Sequence, residues 1–326
     1  MKKAKSIIIS LLILAIVIGG CIGAYWYFTK PAEDTEVSQN TENTENDKLA
    51  KIDKTPIFSL GDYPKVDASL ATQPLTTAFV KNFTGADSEV TDEYLDYTNT
   101  HPAYLRLVDG EVDLIVVTEP SADELDYAKQ KNVELEVIPV VKEGFVFYVI
   151  AENEVSNLKL EEIQKIYTGE IRNWNEVGGV DEKIRPIQRP ANSGSQTGML
   201  SLVMKDKKIM QPETEDLIET MSEIINIVSD YDNGLNSIGY SYYYYATTMY
   251  DTIDSNVADR IKLLSIDGVY PNNETIKNGA YPLQTSYYIV IRKDEEQGSN
   301  TRKLVDSMLS ARGQAIAEEV GYVRTK

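Results

Sequence analysis

Apolar positions along the chain follow two alternating spacings. Short continuous apolar runs, such as Val112–Val117 and Gly144–Ile150, predict strands that are covered on both faces. Between such runs, apolar residues recur at helical spacing, as at Leu75, Phe79 and Phe83. Because strands alternate with helices throughout, the pattern predicts an α/β fold.

The first 30 residues have a different pattern. An uncharged run of 22 residues, 7–28, follows Lys2, Lys3 and Lys5. This length suffices to span a bilayer, and basic residues before the run favour a C-terminal domain outside the cytoplasm. We therefore expect residues 1–30 to attach an extracytoplasmic domain to the membrane.

The form of the attachment stays open. Cys21 ends a segment that resembles a lipoprotein cleavage box, so Cys21 is a lipidation candidate, and a simple cleaved signal is a further alternative. The residues after Cys21 stay apolar, which favours a retained anchor. Residues 31–56 are rich in Glu, Asp, Asn and Thr, and predict a disordered acidic tether that reaches about 30 Å.

Composition excludes several classes of protein. About 270 residues remain for a globular part, enough for two lobes with their own cores. The net charge of −19 argues against a nucleic-acid partner, which requires a basic surface. With 1 Cys and 1 His, the chain cannot form an internal disulfide, a cysteine metal site or a histidine cluster. We therefore expect no metal, no cofactor and no enzymatic activity.

The segment from Arg189 to Thr197 has the composition of a small-anion site. The first amides of a helix have no partner within the helix and point outward at its positive end. Ser193, Ser195 and Thr197 add hydroxyl donors, Gly194 allows close approach, and Arg189 offers a planar pair of donors. The alternative is a capped helix with Arg189 in a surface salt bridge.

The first half of the chain places hydroxyls beside two further helix starts. Thr72 and Thr100 each precede a helix that begins with proline, and Thr118-Glu119 follows a buried strand. The carboxyl ends of parallel strands commonly face a ligand cleft. We expect His101 to be a surface residue at its turn.

Together these segments resemble the phosphate-binding substrate receptors of ABC uptake transporters, in the periplasmic-binding-protein superfamily. The most specific motifs are Tyr167–Trp174, Arg189 with Ser193–Ser195, and Ile238–Tyr240, and the resemblance extends over about Tyr63 to Arg324.

The resemblance implies a type II fold with two lobes, joined by two hinge strands, and a ligand cleft between them. Residues 57–146 and 281–326 would form lobe 1, and residues 147–280 would form lobe 2. The hinge strands would lie near Phe145–Ile150 and Tyr287–Ile291.

Residue by residue, the resemblance implies these phosphate ligands: Thr72, Gln73, Thr100, Glu119, Arg189, Ser193, Gly194 and Ser195, with Ser69, Thr118 and Thr197 as secondary candidates. Two positions depart from the family. Glu119 lies in the segment where the family has an aspartate that accepts the phosphate proton, and Ala191 replaces the acid that braces the arginine. We expect Glu119 to accept that proton and to favour phosphate over sulfate.

The implied function is a monomeric receptor that captures inorganic phosphate for the permease of an ABC importer. Alternatives within binding are sulfate, molybdate or an organic phosphate. A surface sensory or adhesion domain is an alternative from another class, and an extracellular hydrolase is disfavoured by the scarcity of His and Cys.

Overall fold

The computed structural model describes residues 53–87, 91, 94–230, 235–249 and 259–325. The predicted anchor, Cys21 and the tether up to residue 52 lie outside the described residues. Within the described ranges, no helix is both long and apolar enough to cross a bilayer. The last part of the predicted tether contacts the domain, because Arg312 donates a hydrogen bond of 2.7 Å to the carbonyl of Thr55.

The described elements follow one another as strands and helices in mixed order. The strands are β1 (Val66–Ala68), β2 (Leu95–Asp96), β3 (Leu114–Val117), β4 (Leu135–Ile150), β5 (Asn157–Leu158), β6 (Arg185–Pro186), β7 (Ser237–Tyr242), β8 (Ile261–Leu263), β9 (Ser265–Ile266), β10 (Gln284–Arg292) and β11 (Val323–Arg324). The helices are α1 (Gln73–Thr84), α2 (Thr100–Val108), α3 (Ala122–Gln130), α4 (Leu160–Thr168), α5 (Gly194–Gly198), α6 (Met221–Ser229), α7 (Asn273–Lys277), α8 (Asn300–Leu309) and α9 (Ala311–Glu319). Short π-helical segments occupy Met199–Met204 and Tyr245–Met249, and 3₁₀ turns occupy Leu60–Asp62, Leu70–Thr72, Trp174–Val177 and Thr214–Asp216.

One long strand, β4, connects two halves of the sheet. The sheet has the order β2-β1-β3-β10-β4-β7-β6, and β8 and β11 also pair with β4. Leu135–Gly144 pairs with β10, whereas Phe145–Ile150 pairs with β7 and then β8. The strand predicted over Gly144–Ile150 is thus the last part of one continuous strand of 16 residues, far longer than a typical strand. The half with β1, β2, β3 and β10 is called the first lobe, and the half with β6, β7 and β8 the second.

Strand β3 confirms that the apolar run at residues 112–117 is covered on both faces. Leu114 and Val116 lie in the larger core cluster, together with residues of α1. Ile115 and Val117 point to the opposite face and pack with α2 in a second cluster. All four side chains are fully buried, as expected for a strand between two helical layers.

The return of the chain to the first lobe differs from the prediction. Tyr287–Ile291 lies within β10, which pairs with β3 on one side and with the first part of β4 on the other. It therefore does not cross between the halves, and the crossing lies before Gln284. There the hydroxyl of Tyr281 donates to the carbonyl of Phe145 at 2.9 Å, and the amide of Phe145 donates to Leu283 at 2.8 Å. The exact lobe boundaries remain a prediction.

The segment before α6 is not helical throughout, and α6 itself covers only Met221–Ser229. Helix α6 starts at Met221, because Thr220 and Glu223 form a capping box in which each side chain accepts from the other residue's amide. The preceding chain forms a short turn in which Asp216 is ion-paired with Arg185. A late helix start at this point brings its N-terminus to the cleft.

A buried carboxylate lies where β4 changes partners. Glu143 is 2% exposed, and its Oε1 accepts hydrogen bonds from the amides of Gly144 at 2.8 Å and Tyr244 at 3.2 Å. Burial raises the pKa of Glu143 from 4.5 to about 8, although these amides favour the charged form. The described residues place no cation in ion-pair contact with it.

Candidate functional site

A cavity of about 390 Å³ lies between the two lobes. Its lining comes from both of them: Ser69–Ala71, Thr98–Pro102, Thr118, Arg189–Ser195, Glu219–Ser222, Tyr242 and Tyr245. The N-terminal ends of α2, α5 and α6 all reach this lining. Unpaired helix amides and the positive ends of helix dipoles therefore converge on one space, which suits an anion.

Arg189 is the cation of this cavity. Its Nη1 donates to the hydroxyl of Ser195 at 3.2 Å, and its Nη2 donates to the carbonyl of Glu219 at 2.6 Å. The Nε atom is buried without a hydrogen-bond partner, and among the described residues no carboxylate forms an ion pair with this side chain. Burial lowers the pKa of Arg189, since the charged form is partly removed from water. The guanidinium therefore lacks a counter-ion that an anionic ligand can supply.

At Gly194 the backbone of the second lobe lies close to side chains of the first lobe. A Cβ atom at this position would lie 2.5 Å from the Thr118 hydroxyl and 2.7 Å from the Thr100 hydroxyl, both from the first lobe. The Tyr242 hydroxyl donates to the Gly194 carbonyl at 2.8 Å and holds this backbone in place. A glycine is required here because any side chain would collide with both hydroxyls.

The start of α5 is built as an anion-facing turn. The hydroxyl of Ser193 accepts from the amide of Gln196 at 3.2 Å, so its own proton is free for another acceptor. The side chain of Gln196 in turn accepts from the backbone amide of Arg189 at 3.2 Å and from the Tyr240 hydroxyl. These contacts fix the position of Arg189 relative to the first turn of α5.

Thr118 is one of the buried hydroxyl residues of the first lobe that line the cavity. It is 3% exposed, and its Oγ1 has no hydrogen-bond partner among the described residues. The nearby Tyr242 hydroxyl donates its hydrogen bond to the Gly194 carbonyl, and the Tyr104 hydroxyl donates to the Thr118 carbonyl at 2.8 Å. A buried polar atom without a partner is costly, so its position favours a ligand that satisfies it.

Asp67 positions the loop that carries Thr100. It is fully buried in the middle of β1, and it accepts from the amide of Thr98 at 3.0 Å and from the hydroxyl of Thr98 at 2.6 Å. Arg106 on α2 donates to the same carboxylate at 2.6 Å. The loop and the first turn of α2 are thus held together by one carboxylate.

Two predicted ligands of the first lobe lie outside the cavity lining. Thr72 is fully buried, and its hydroxyl donates to the carbonyls of Val116 at 2.6 Å and Ser69 at 3.0 Å. The amide of Gln73 donates to the carbonyl of Leu70. Ser69, a secondary candidate in the sequence, does line the cavity.

Glu119 and Thr197 also lie outside the lining. The carboxylate of Glu119 accepts from the hydroxyl of Ser201 in the second lobe rather than facing the cavity. Thr197 is buried in α5. A second contact between the lobes joins Asn192 to Asp123, with 2.9 Å between Nδ2 and Oδ2. In this conformation the carboxylates of Glu119 and Asp123 therefore lie at the rim of the cleft, where each is hydrogen-bonded to the second lobe.

The lining contains groups that the sequence did not indicate. They are Leu70, Ala71, Asn99, His101, the Glu219–Ser222 segment, Tyr242 and Tyr245. The carbonyl of Glu219 braces Arg189, a role that the resemblance assigns to the acid replaced here by Ala191. No local signal marks a carbonyl 30 residues away in sequence as a partner of Arg189. No group of three or more His, Cys, Asp or Glu side chains that could hold a metal occurs in the described part of the chain.

Comparison with known proteins finds relatives over most of the chain. It is 27% identical over 259 residues to the phosphate-binding protein PstS of Bacillus subtilis, with 79% of each chain covered. It is 29% identical over 191 residues to the phosphate-binding protein PstS of Borreliella burgdorferi, a match that covers 56% of this chain and 64% of that relative.

Solved structures share the fold. A putative phosphate ABC transporter substrate-binding protein of Clostridium perfringens, with bound phosphate, superposes with a TM-score of 0.59 at 20% identity, covering 80% of this chain and 98% of that one. An ABC-type phosphate transport receptor of Vibrio cholerae gives a TM-score of 0.58 at 19% identity, with 79% and 98% coverage. The profile of the PBP superfamily domain matches residues 66–311. With more than half of its length inside that match, the chain belongs to the PBP superfamily.

Proposed function

We propose that the protein is an extracytoplasmic receptor that captures inorganic phosphate for an ABC importer. The observation that carries this proposal is the half-buried Arg189 without a counter-ion, in a cavity lined by hydroxyls and helix N-termini. The names of the relatives point to the same ligand. The proposed ligand residues are Ser69, Thr100, Thr118, Arg189, Ser193, Gly194 and Ser195.

A tetrahedral oxyanion fits this set of groups chemically. The guanidinium of Arg189 supplies one full charge, and hydroxyls and first-turn amides supply neutral donors around it. Binding satisfies Thr118 Oγ1 and Arg189 Nε, which otherwise remain without partners. Because the donors come from both lobes, the ligand is bound when the lobes close around it.

The direct test is isothermal titration of the full-length protein with phosphate, sulfate and molybdate. We expect phosphate to bind, and Arg189→Ala to weaken binding by about 30-fold to several thousand-fold, since removing a charged partner in a closed site costs about 2–5 kcal/mol. Lys208→Ala is the matched control, because Lys208 is an exposed cation of the same lobe that does not line the cavity.

Two results would contradict the proposal. Absence of phosphate binding by the folded wild-type protein would exclude the function, and equal affinities of wild type and Arg189→Ala would place the anion elsewhere. Tighter binding of molybdate or sulfate than of phosphate would retain an oxyanion receptor but replace its ligand.

The location and partners are part of the same proposal. Residues 1–30 would hold the domain at the outer face of the membrane, with Cys21 lipidated or the segment retained as a helix, and residues 31–56 would act as a tether. Protease added to intact cells should release the domain by cleavage in the tether. Complete release into the medium without protease would contradict the anchor. Loss of phosphate uptake on deletion of the gene would support delivery to a permease.

A further inference from the structure

Selection of phosphate over sulfate requires a group that accepts a hydrogen bond from the anion. Near neutral pH phosphate keeps a proton that it can donate, whereas sulfate has none. An acceptor in the site therefore favours phosphate, and a donor in the same position accommodates both anions. Glu119, the carboxylate expected in this role, accepts from Ser201 and does not line the cavity.

His101 lines the cavity and is held in one orientation. It is the second residue of α2, and its Nδ1 lies 3.0 Å from Oε1 of Glu124. The His101 side chain is 37% exposed, whereas the carboxyl group of Glu124 is fully buried. The other oxygen of Glu124 accepts from the amide of Ser121 at 2.7 Å, within the capping box of α3. The carboxylate is therefore fixed, and it fixes the imidazole.

This contact decides which nitrogen of His101 is available. A carboxylate accepts, so Nδ1 carries a proton that it donates to Glu124. In the neutral imidazole, Nε2 is then left with a lone pair and can accept. In the protonated imidazole, Nε2 becomes a donor. The Nε2 atom of one lining side chain can thus act as an acceptor or as a donor.

We propose that neutral His101, oriented by Glu124, accepts a hydrogen bond from the hydroxyl of monohydrogen phosphate, and that protonation of His101 makes the selectivity over sulfate depend on pH. The inference rests on the proposed function. Neutral His101 favours phosphate, because a bound sulfate would face a lone pair with its own oxygens. Protonated His101 donates to either anion and adds a second positive charge, so sulfate then binds as well.

Some charged groups around His101 favour its protonation and others disfavour it. Glu124 on α3 stabilises the imidazolium, and burial raises the pKa of Glu124 while Ser121 and His101 oppose that rise. Across the cavity, Arg189 disfavours a second positive charge, and Glu219 at the exposed rim favours it. Asp123, beside Glu124, is hydrogen-bonded to Asn192. His101 therefore lies among charges of both signs.

Sulfate is the appropriate probe, because its own charge does not change over the pH range of the experiment. We would titrate the full-length protein with sulfate between about pH 5 and 8.5. Since an opposite charge at close range shifts a pKa by about 1–3 units, sulfate affinity should rise about 10- to 1,000-fold as His101 becomes protonated. His101→Ala should remove this rise.

Two further variants separate the role of His101 from general effects. Glu124→Gln removes the anion that stabilises the imidazolium, so the rise in sulfate affinity should move to lower pH while the protein remains folded. Glu143→Gln removes a buried carboxyl group whose pKa is raised to about 8, and it should leave the sulfate profile unchanged. Circular dichroism and thermal unfolding at each pH confirm that every variant is folded.

The outcomes distinguish this inference from the proposed function. The same sulfate profile in wild type and His101→Ala, or no rise in sulfate affinity at about pH 5, overturns the role of His101 while phosphate binding stands. If phosphate itself fails to bind the wild-type protein, the proposed function fails first, and the role of His101 fails with it.

Discussion

The ionisation of Glu143 should make the protein less stable as the pH rises. In the folded protein its pKa is raised from 4.5 to about 8, because burial disfavours the carboxylate. The folded state therefore binds this proton more tightly than the unfolded state. Its stabilising contribution is complete below about pH 4.5 and is lost as the pH rises through about 8. At 1.36 kcal/mol per pKa unit, the loss is about 5 kcal/mol.

Glu143→Gln removes this dependence, because the amide stays neutral. Its oxygen can still accept from the amides of Gly144 and Tyr244, although its new N–H group costs about 1–3 kcal/mol if it finds no partner. At about pH 9 the variant should be the more stable protein, by about 2–4 kcal/mol. At about pH 4.5 it should be equally stable or less stable.

The measurement is urea unfolding followed by circular dichroism at several pH values between about 4.5 and 9. Glu152→Gln is the matched control, since Glu152 is an exposed carboxylate just beyond the end of β4. The difference between Glu143→Gln and wild type should change sign with pH, whereas the control should follow wild type throughout. A difference that is constant across the range would show that the pKa of Glu143 is the same in the folded and unfolded states, and would refute the reasoning.

Three further predictions concern the cleft. Arg189→Lys should bind phosphate with an affinity between those of wild type and Arg189→Ala, because lysine keeps the charge without the planar pair of donors. Titration calorimetry measures these affinities. Equal affinities of the lysine and alanine variants would contradict the prediction. Gly194→Ala should weaken phosphate binding by about 5- to 100-fold. When the lobes close, the methyl group of the new alanine meets the Thr118 hydroxyl, at a cost of about 1–3 kcal/mol. An unchanged Kd would contradict this contact. Glu119→Gln should leave the ratio of phosphate to sulfate affinity unchanged and weaken each affinity by less than about fivefold. The reason is that the exposed hydrogen bond between Glu119 and Ser201 lies at the rim of the cleft. A changed ratio would show that Glu119 is the acceptor.

Local chemistry was sufficient to predict the second-lobe part of the site. Arg189, Ser193, Gly194 and Ser195 lie within seven consecutive residues, so one strand, one turn and one helix start bring them together. Helix capping and glycine flexibility are local properties. The prediction that this segment faces a cavity did not depend on long-range packing, and the structure places all four residues in the lining.

Local chemistry could not predict which of two neighbouring polar side chains faces the cleft. Thr118 and Glu119 are adjacent after β3, and side chains of neighbouring residues in extended chain point in opposite directions. The sequence does not reveal which of the two faces the cleft, since that depends on the register of β3 beside β1 and β10. The sequence also does not reveal that Ser69 rather than Thr72 faces the cleft. The Thr72 hydroxyl donates instead to the Val116 carbonyl of a neighbouring strand.

The sequence by itself determined the α/β class and the buried strands, and it predicted an anion site at the Arg189 segment, because these follow from periodicity, capping and residue chemistry. Tertiary structure alone decided which groups complete the site. The Glu219 carbonyl that braces Arg189 and the contact between His101 and Glu124 join segments that are far apart in sequence. Such contacts depend on how helices and strands pack in three dimensions, and no local pattern encodes that packing.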